Sequence, residues 1–177
     1  MSQTPIATLE DFLAHALAIE SEAAERYREF TAWFDERGES VLAGLCRNLA
    51  RFEQEHLEEL AEMASDLAIP DIPRDGYRWV DGVAPETVPR EMLFLMNSSR
   101  QLLGIALEAE LRAVAFFRWV AESSPDAEVA RLATGMIADE EDHAGWVARA
   151  LEYLPEEGAV EVPGLKPSVG AEPFPSA

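Results

Sequence analysis

Two short stretches constrain this chain more than any other feature. Arg51-Phe52-Glu53-Gln54-Glu55-His56 and Ala138-Asp139-Glu140-Glu141-Asp142-His143 each contain Glu-x-x-His. Both lie in runs whose apolar residues recur at helical period. Residues three apart on a helix share a face, so each motif points a carboxylate and an imidazole the same way, as two ligands of one metal ion must. One such pair is weak. Here two of only three histidines in the chain stand in such pairs. The competing reading is two solvated helix faces in an acid-rich chain, and the choice turns on whether further carboxylates can meet the motifs.

The rest of the pattern predicts an all-α four-helix bundle over residues 1–154, made of two helical hairpins joined by a long crossover. Thr8-Leu9-Glu10-Asp11 reads as a capped helix start. Phe12, Leu13, Ala16, Ile19, Ala23, Tyr27 and Phe30 follow at helical spacing, and Gly38 marks the stop. A second helix opens near Ser40, carries Leu42, Leu45, Leu49, Phe52, Leu60 and Met63, and fades around Ser65 to Ile69. Residues 66–88 are punctuated by Pro70, Pro73, Gly76, Gly82 and Pro85, with Tyr77, Trp79 and Val80 expected to pin them down. That is long enough to run the length of a bundle. Thr87 and Pro89 are expected to open a third helix, apolar nearly all round from Met92 to Val120 and hence the most buried. Ser124-Pro125 separates it from a fourth, with Pro125 at its first position, running to about Tyr153. Residues 155–177 hold five prolines and several glycines, the composition of an irregular tail.

The helices repeat in pairs. Glu20, Ala23, Tyr27 and Arg28 in the first match Glu110, Ala113, Phe117 and Arg118 in the third, at equal offsets. Leu42, Leu45, Leu49, Glu53 and His56 in the second match Val129, Leu132, Met136, Glu140 and His143 in the fourth. Counting from the turns, Glu20 and Glu53 lie level on antiparallel neighbours, as do Glu110 and Glu140, each about 20–25 Å from its turn at the helical rise of about 1.5 Å per residue. Glu108 competes with Glu110, but the two point about 200° apart around the helix, and only Glu110 keeps the offsets of the repeat. Acids in the middle of apolar stripes need compensation. Four glutamates with two neutral histidines are balanced by two divalent cations. Glu22, Glu55, Glu58, Glu59, Glu141 and Asp142 read as solvated, and His15 as a surface or satisfied histidine off the ligand face.

One Glu from each of two helices and Glu-x-x-His from each of the other two is the donor set of ferritin-like di-iron and di-manganese bundles. Over residues 8–153 the chain resembles the rubrerythrin and ferritin-like di-iron superfamily. The resemblance implies two iron ions, with manganese possible, held by Glu20, Glu53, His56, Glu110, Glu140 and His143. It implies that Glu53 and Glu110 bridge or flank the ions, and that Tyr27 hydrogen-bonds a ligand and takes part in catalysis. It further implies reduction of hydrogen peroxide or O₂, or ferritin-like oxidation and storage of Fe²⁺, or hydroxylation of a small molecule. A metal-free interaction bundle is the non-enzymatic alternative. The chain departs from relatives in carrying Phe117 where many have a second tyrosine. It also has Leu107 and Ala113 where rubrerythrin's additional third-helix glutamate would fall. Without a four-cysteine rubredoxin module, electrons are expected from a separate donor protein.

Composition adds exclusions. A formal charge of -20 disfavours non-specific binding to nucleic acid or an anionic membrane. The single cysteine, Cys46, sits among apolar residues and reads as a small buried side chain rather than a reactive thiol. No signal-peptide pattern opens the chain and no apolar run is long enough to span a bilayer, so a cytoplasmic location is expected. The long crossover and the habits of relatives point to a homodimer.

Overall fold

The computed structural model describes residues 4–154; the irregular tail expected at 155–177 lies outside them. Four helices are present, α1 (Leu9–Glu36), α2 (Ser40–Ala64), α3 (Ser99–Ser123) and α4 (Ala127–Glu152), and no strand occurs among the described residues. α1 packs along α2 and α3 along α4, so the bundle is built from two hairpins.

Local chemistry sets the helix ends. Thr8 Oγ1 accepts from the Asp11 N–H at 3.2 Å, and Glu10 and Asp11 sit at the positive end of the α1 dipole. Gly38, at φ 73°, closes that helix: the Glu39 N–H donates to Phe34 O at 2.9 Å and the Gly38 N–H to Asp35 O at 3.1 Å. This is a Schellman motif, which needs the left-handed residue.

The third helix starts later than its composition predicts. Pro89 introduces only a short 3-10 turn (Arg90–Phe94). Ser98 then caps α3, its Oγ accepting from the Gln101 N–H at 3.3 Å while Gln101 Oε1 accepts from the Asn97 N–H at 2.9 Å. Ser98-x-x-Gln101 is a capping-box signature, and it outweighs the apolar run Met92 to Met96. Likewise Asp126, not Pro125, sets the start of α4, accepting from the Glu128 and Val129 N–H groups.

Two apolar cores flank the middle of the bundle. One gathers Tyr27, Phe30, Phe34, Cys46, Leu49, Leu102, Leu103 and Val147 at the α1–α2 turn end. The other gathers Phe12, Leu13, Ile19, Leu60, Phe116, Phe117, Val129 and Met136 at the opposite end. At about 1.5–3 kcal/mol per large apolar side chain removed from water, these two layers carry the stability. Cys46 is wholly buried and its thiol is pushed up to about 12 by burial, so it packs as an inert apolar group.

The crossover is tied down by His15, which is fully buried. Its Nδ1 lies 2.8 Å from Asp11 O and its Nε2 3.0 Å from the Arg78 backbone N. Only the neutral ring with its proton on Nδ1 satisfies both partners. Tyr77 and Trp79 pack edge-on against the ring, while Val80, expected to pin the loop, is exposed. No described helix is long and apolar enough to cross a membrane.

Burial holds the His15 pKa below its ordinary value. A group depressed in this way stabilises the fold fully above pH 6.5, and the contribution is lost as pH falls through the lowered value. His15→Ala is expected to cost about 2–4 kcal/mol, from the lost ring packing and an unsatisfied Arg78 N–H. Thermal melting checks the cost, and faster proteolytic cleavage near residue 78 checks that the crossover has come loose.

Candidate metal centre

Between the two apolar cores lies a polar layer. Glu20 follows Ile19 on α1, Glu53 lies between Ala50 and Leu60 on α2, Glu110 between Ala109 and Ala113 on α3, and Glu140 between Met136 and Val147 on α4. All four acids are at most 1% exposed. Helical period aims them inward, and the level placement of the two hairpins brings them together. Glu108 is exposed, so Glu110 is the inward acid of α3.

The geometry is close to two-fold. Glu140 faces one imidazole with each oxygen: Oε1 lies 3.4 Å from His56 Nδ1 and Oε2 3.5 Å from His143 Nδ1. Glu20 Oε2 lies 3.6 Å from His56 Nδ1, and Glu110 Oε2 lies 4.0 Å from His143 Nδ1. The imidazoles stack on one another with centroids 4.7 Å apart. Donor atoms of Glu20, His56 and Glu140 fall within 4.8 Å of one another, as do those of Glu110, Glu140 and His143, and those of Glu53, His56 and His143. Glu53 and Glu140 therefore reach both imidazoles, whereas Glu20 and Glu110 each reach one. All six residues named from the sequence converge.

A metal ion fits these residues. Both oxygens of each of the four acids, and Nδ1 of both histidines, are buried without a hydrogen-bond partner among the described residues. Buried polar atoms are ordinarily satisfied, and carboxylate oxygen with imidazole nitrogen suits iron or manganese. Tyr27 closes one side. Its hydroxyl is buried without a partner among the described residues, so the hydrogen bond to a ligand that the resemblance implies is not made there. Burial, then the charges of Glu110 and Glu53, hold its pKa well above the usual phenol value. The equivalent position in the repeat, Phe117, belongs to the apolar core.

Protons are the alternative way to neutralise this layer. Burial raises Glu20 to about 7 and drives Glu53 and Glu110 up as well. Burial alone would lower His56, but the Glu140 and Glu20 carboxylates outweigh it and raise the imidazole to about 10. Burial would raise Glu140; the two imidazoles outweigh it and bring it down to about 2.

One more acid enters the layer without any mark in the sequence. Glu86, from the crossover, is 2% exposed, both its oxygens lack partners among the described residues, and it groups with Glu20 and Glu53 within the same 4.8 Å. No periodicity marks a loop position, and one glutamate among 34 acidic residues carries no signal of its own.

A four-helix bundle with a buried Glu/His layer contributed by all four helices defines the ferritin-like class of carboxylate metal proteins. The rubrerythrin family pattern matches residues 11–78, which include Glu20, Glu53 and His56. The crystal structure of an uncharacterized conserved protein from Magnetospirillum magnetotacticum MS-1 matches with a TM-score of 0.68 and 30% identity, over 86% of this chain and 99% of that one. No curated protein matches. The chain belongs to the rubrerythrin family of ferritin-like di-iron proteins.

Metal ions must displace the protons held by the raised acids and by His56, so acid competes with metal. The rise in melting temperature on adding Mn²⁺ or Fe²⁺ is expected to grow from about pH 5.5 to about pH 7.5, with protons released on binding. Melting curves and proton-release titration check this; a metal effect independent of pH would contradict it.

Proposed function

We propose that the chain is a non-haem di-iron oxidoreductase of rubrerythrin type, reducing hydrogen peroxide or O₂ with electrons from a separate donor protein. The observation that carries the proposal is the sharing of Glu140 between two three-residue donor groups, one on each imidazole. Glu20 and His56 would hold one ion and Glu110 and His143 the other, with Glu53 and Glu140 spanning both. Manganese suits the same donors. Bound as a pair, the ions would supply two electrons together, which peroxide reduction needs.

The protein's own part is position, water exclusion and proton supply. The two apolar cores keep bulk water from the layer on either side. His56 and His143, part-exposed where the four glutamates are not, lie on the side from which a small oxidant reaches the layer. Tyr27 stays a protonated phenol beside Glu110 and Glu53, placed to donate a hydrogen bond or a proton there. A cytoplasmic homodimer belongs to the same proposal; Val41, Phe94 and Leu95, exposed at the α1–α2 turn end, supply apolar surface for it.

The test combines metal content with turnover. The purified protein is expected to hold about two iron ions per chain, and Glu53→Ala and Glu140→Ala each to lower iron content and peroxide consumption at least about 10-fold. The reduced protein should consume peroxide faster than O₂. Iron uptake far beyond two ions per chain would favour ferritin-like storage instead. Unchanged metal content in both variants would sink the ligand assignment.

A further inference from the structure

The geometry points to Glu86 as a metal ligand of the same centre, one that makes the two metal positions unequal, with Arg112 as its positioning residue. The inference rests on the metal-binding reading above and deepens it. Four helices supply a nearly two-fold donor set, and a symmetric set has no place for a fifth acid. Glu86 nevertheless enters the layer, on the side of Glu20 and Glu53.

Its backbone is built for that. Ala84-Pro85-Glu86-Thr87 is a tight turn, with the Thr87 N–H donating to Ala84 O at 3.1 Å. Pro85 sits at the second position, where its fixed φ favours the turn. Ala84, Pro85 and Val88 are buried with Glu86, in a crossover that is otherwise mostly exposed. Arg112, two residues beyond Glu110 on α3, clamps the turn. Its Nε donates to Pro85 O at 2.6 Å and its Nη2 to Thr87 O at 3.3 Å. The guanidinium therefore holds the carbonyls on both sides of Glu86, which leaves the carboxylate free of it and aimed at Glu20 and Glu53.

The charges then close. Five carboxylates are balanced by two divalent ions together with the Arg112 cation, whereas four are balanced by the ions alone. A surface role for Glu86 is ruled out by its burial, and a role as an internal hydrogen-bonding acid by its partnerless oxygens among the described residues. The position between Glu20 and His56 has three acids within reach besides Glu140, so it should fill first and more tightly than the one between Glu110 and His143.

The experiment is a calorimetric titration of the metal-free full chain with Mn²⁺, which changes no oxidation state. Wild type should bind two ions in unequal steps. Glu86→Gln, nearly the same shape, should weaken the tighter step about 10–100-fold and leave the weaker step within a few-fold. The metal-free Glu86→Gln protein should melt at the same temperature or higher, because the variant removes a buried carboxyl that has no partner among the described residues. Arg112→Gln should weaken the tight step too, with partial rescue in Arg112→Lys. A Glu86→Gln protein that binds both ions as wild type does, or that loses stability without metal while its tight step is unchanged, overturns the assignment and leaves the six-residue centre standing. A wild type that takes up neither Mn²⁺ nor Fe²⁺ overturns the metal centre itself.

Discussion

Everything in this bundle is arranged around carboxylates buried in its apolar middle. An ionised acid without a partner is among the most unfavourable groups a protein can bury. Here Glu20, Glu53, Glu110 and Glu140 share one layer, and Glu86 joins them. Protons relieve the cost in part, as the raised carboxyls and the raised His56 show. Divalent cations would relieve it more completely. The apolar layers above and below make the arrangement tolerable: each hairpin is stapled at both ends by packed aromatic and aliphatic side chains, which supply the stability that the middle does not.

The crossover is as much part of the site as the helices. A loop of this length could have wandered over the surface. It is held instead by side chains of the bundle, among them the His15 ring at Arg78 and the Arg112 guanidinium around Glu86. Both anchors are side chains of the bundle that bind crossover backbone. They fix the path of a segment with no regular structure of its own and carry one carboxylate to a buried destination. The duplication visible in the helices is thereby broken. Tyr27 against Phe117 breaks it again, since only one half of the layer faces a phenol.

Helix ends show where local rules compete. Thr8 and Gly38 were legible because a cap residue and the apolar period changed at the same place. The start of α3 was not, because the apolar residues Met92 to Met96 continue the look of a helix across a 3-10 turn. The deciding signal was the quieter Ser98-x-x-Gln101 pair, whose side chains satisfy backbone groups that an earlier start would have left to the helix. Asp126 outranked Pro125 for the same reason: its carboxylate takes two free N–H groups, and proline takes none.

Helical class, the two-hairpin repeat and the six inward-facing acids and imidazoles could all be read from the order of residues. Each of these follows from the period of a single helix or from comparing one helix with another at equal offsets. Glu110 could be told from Glu108 in this way, because two residues on one helix differ by a known angle. The fold alone decided that Glu53 and Glu140 reach both imidazoles while Glu20 and Glu110 reach one, since that depends on how far apart the helices stand. It alone decided that His15 locks the crossover and that Glu86 enters the layer. Those contacts join residues tens of positions apart through a loop without period, and only the path of the folded chain brings them within bonding distance.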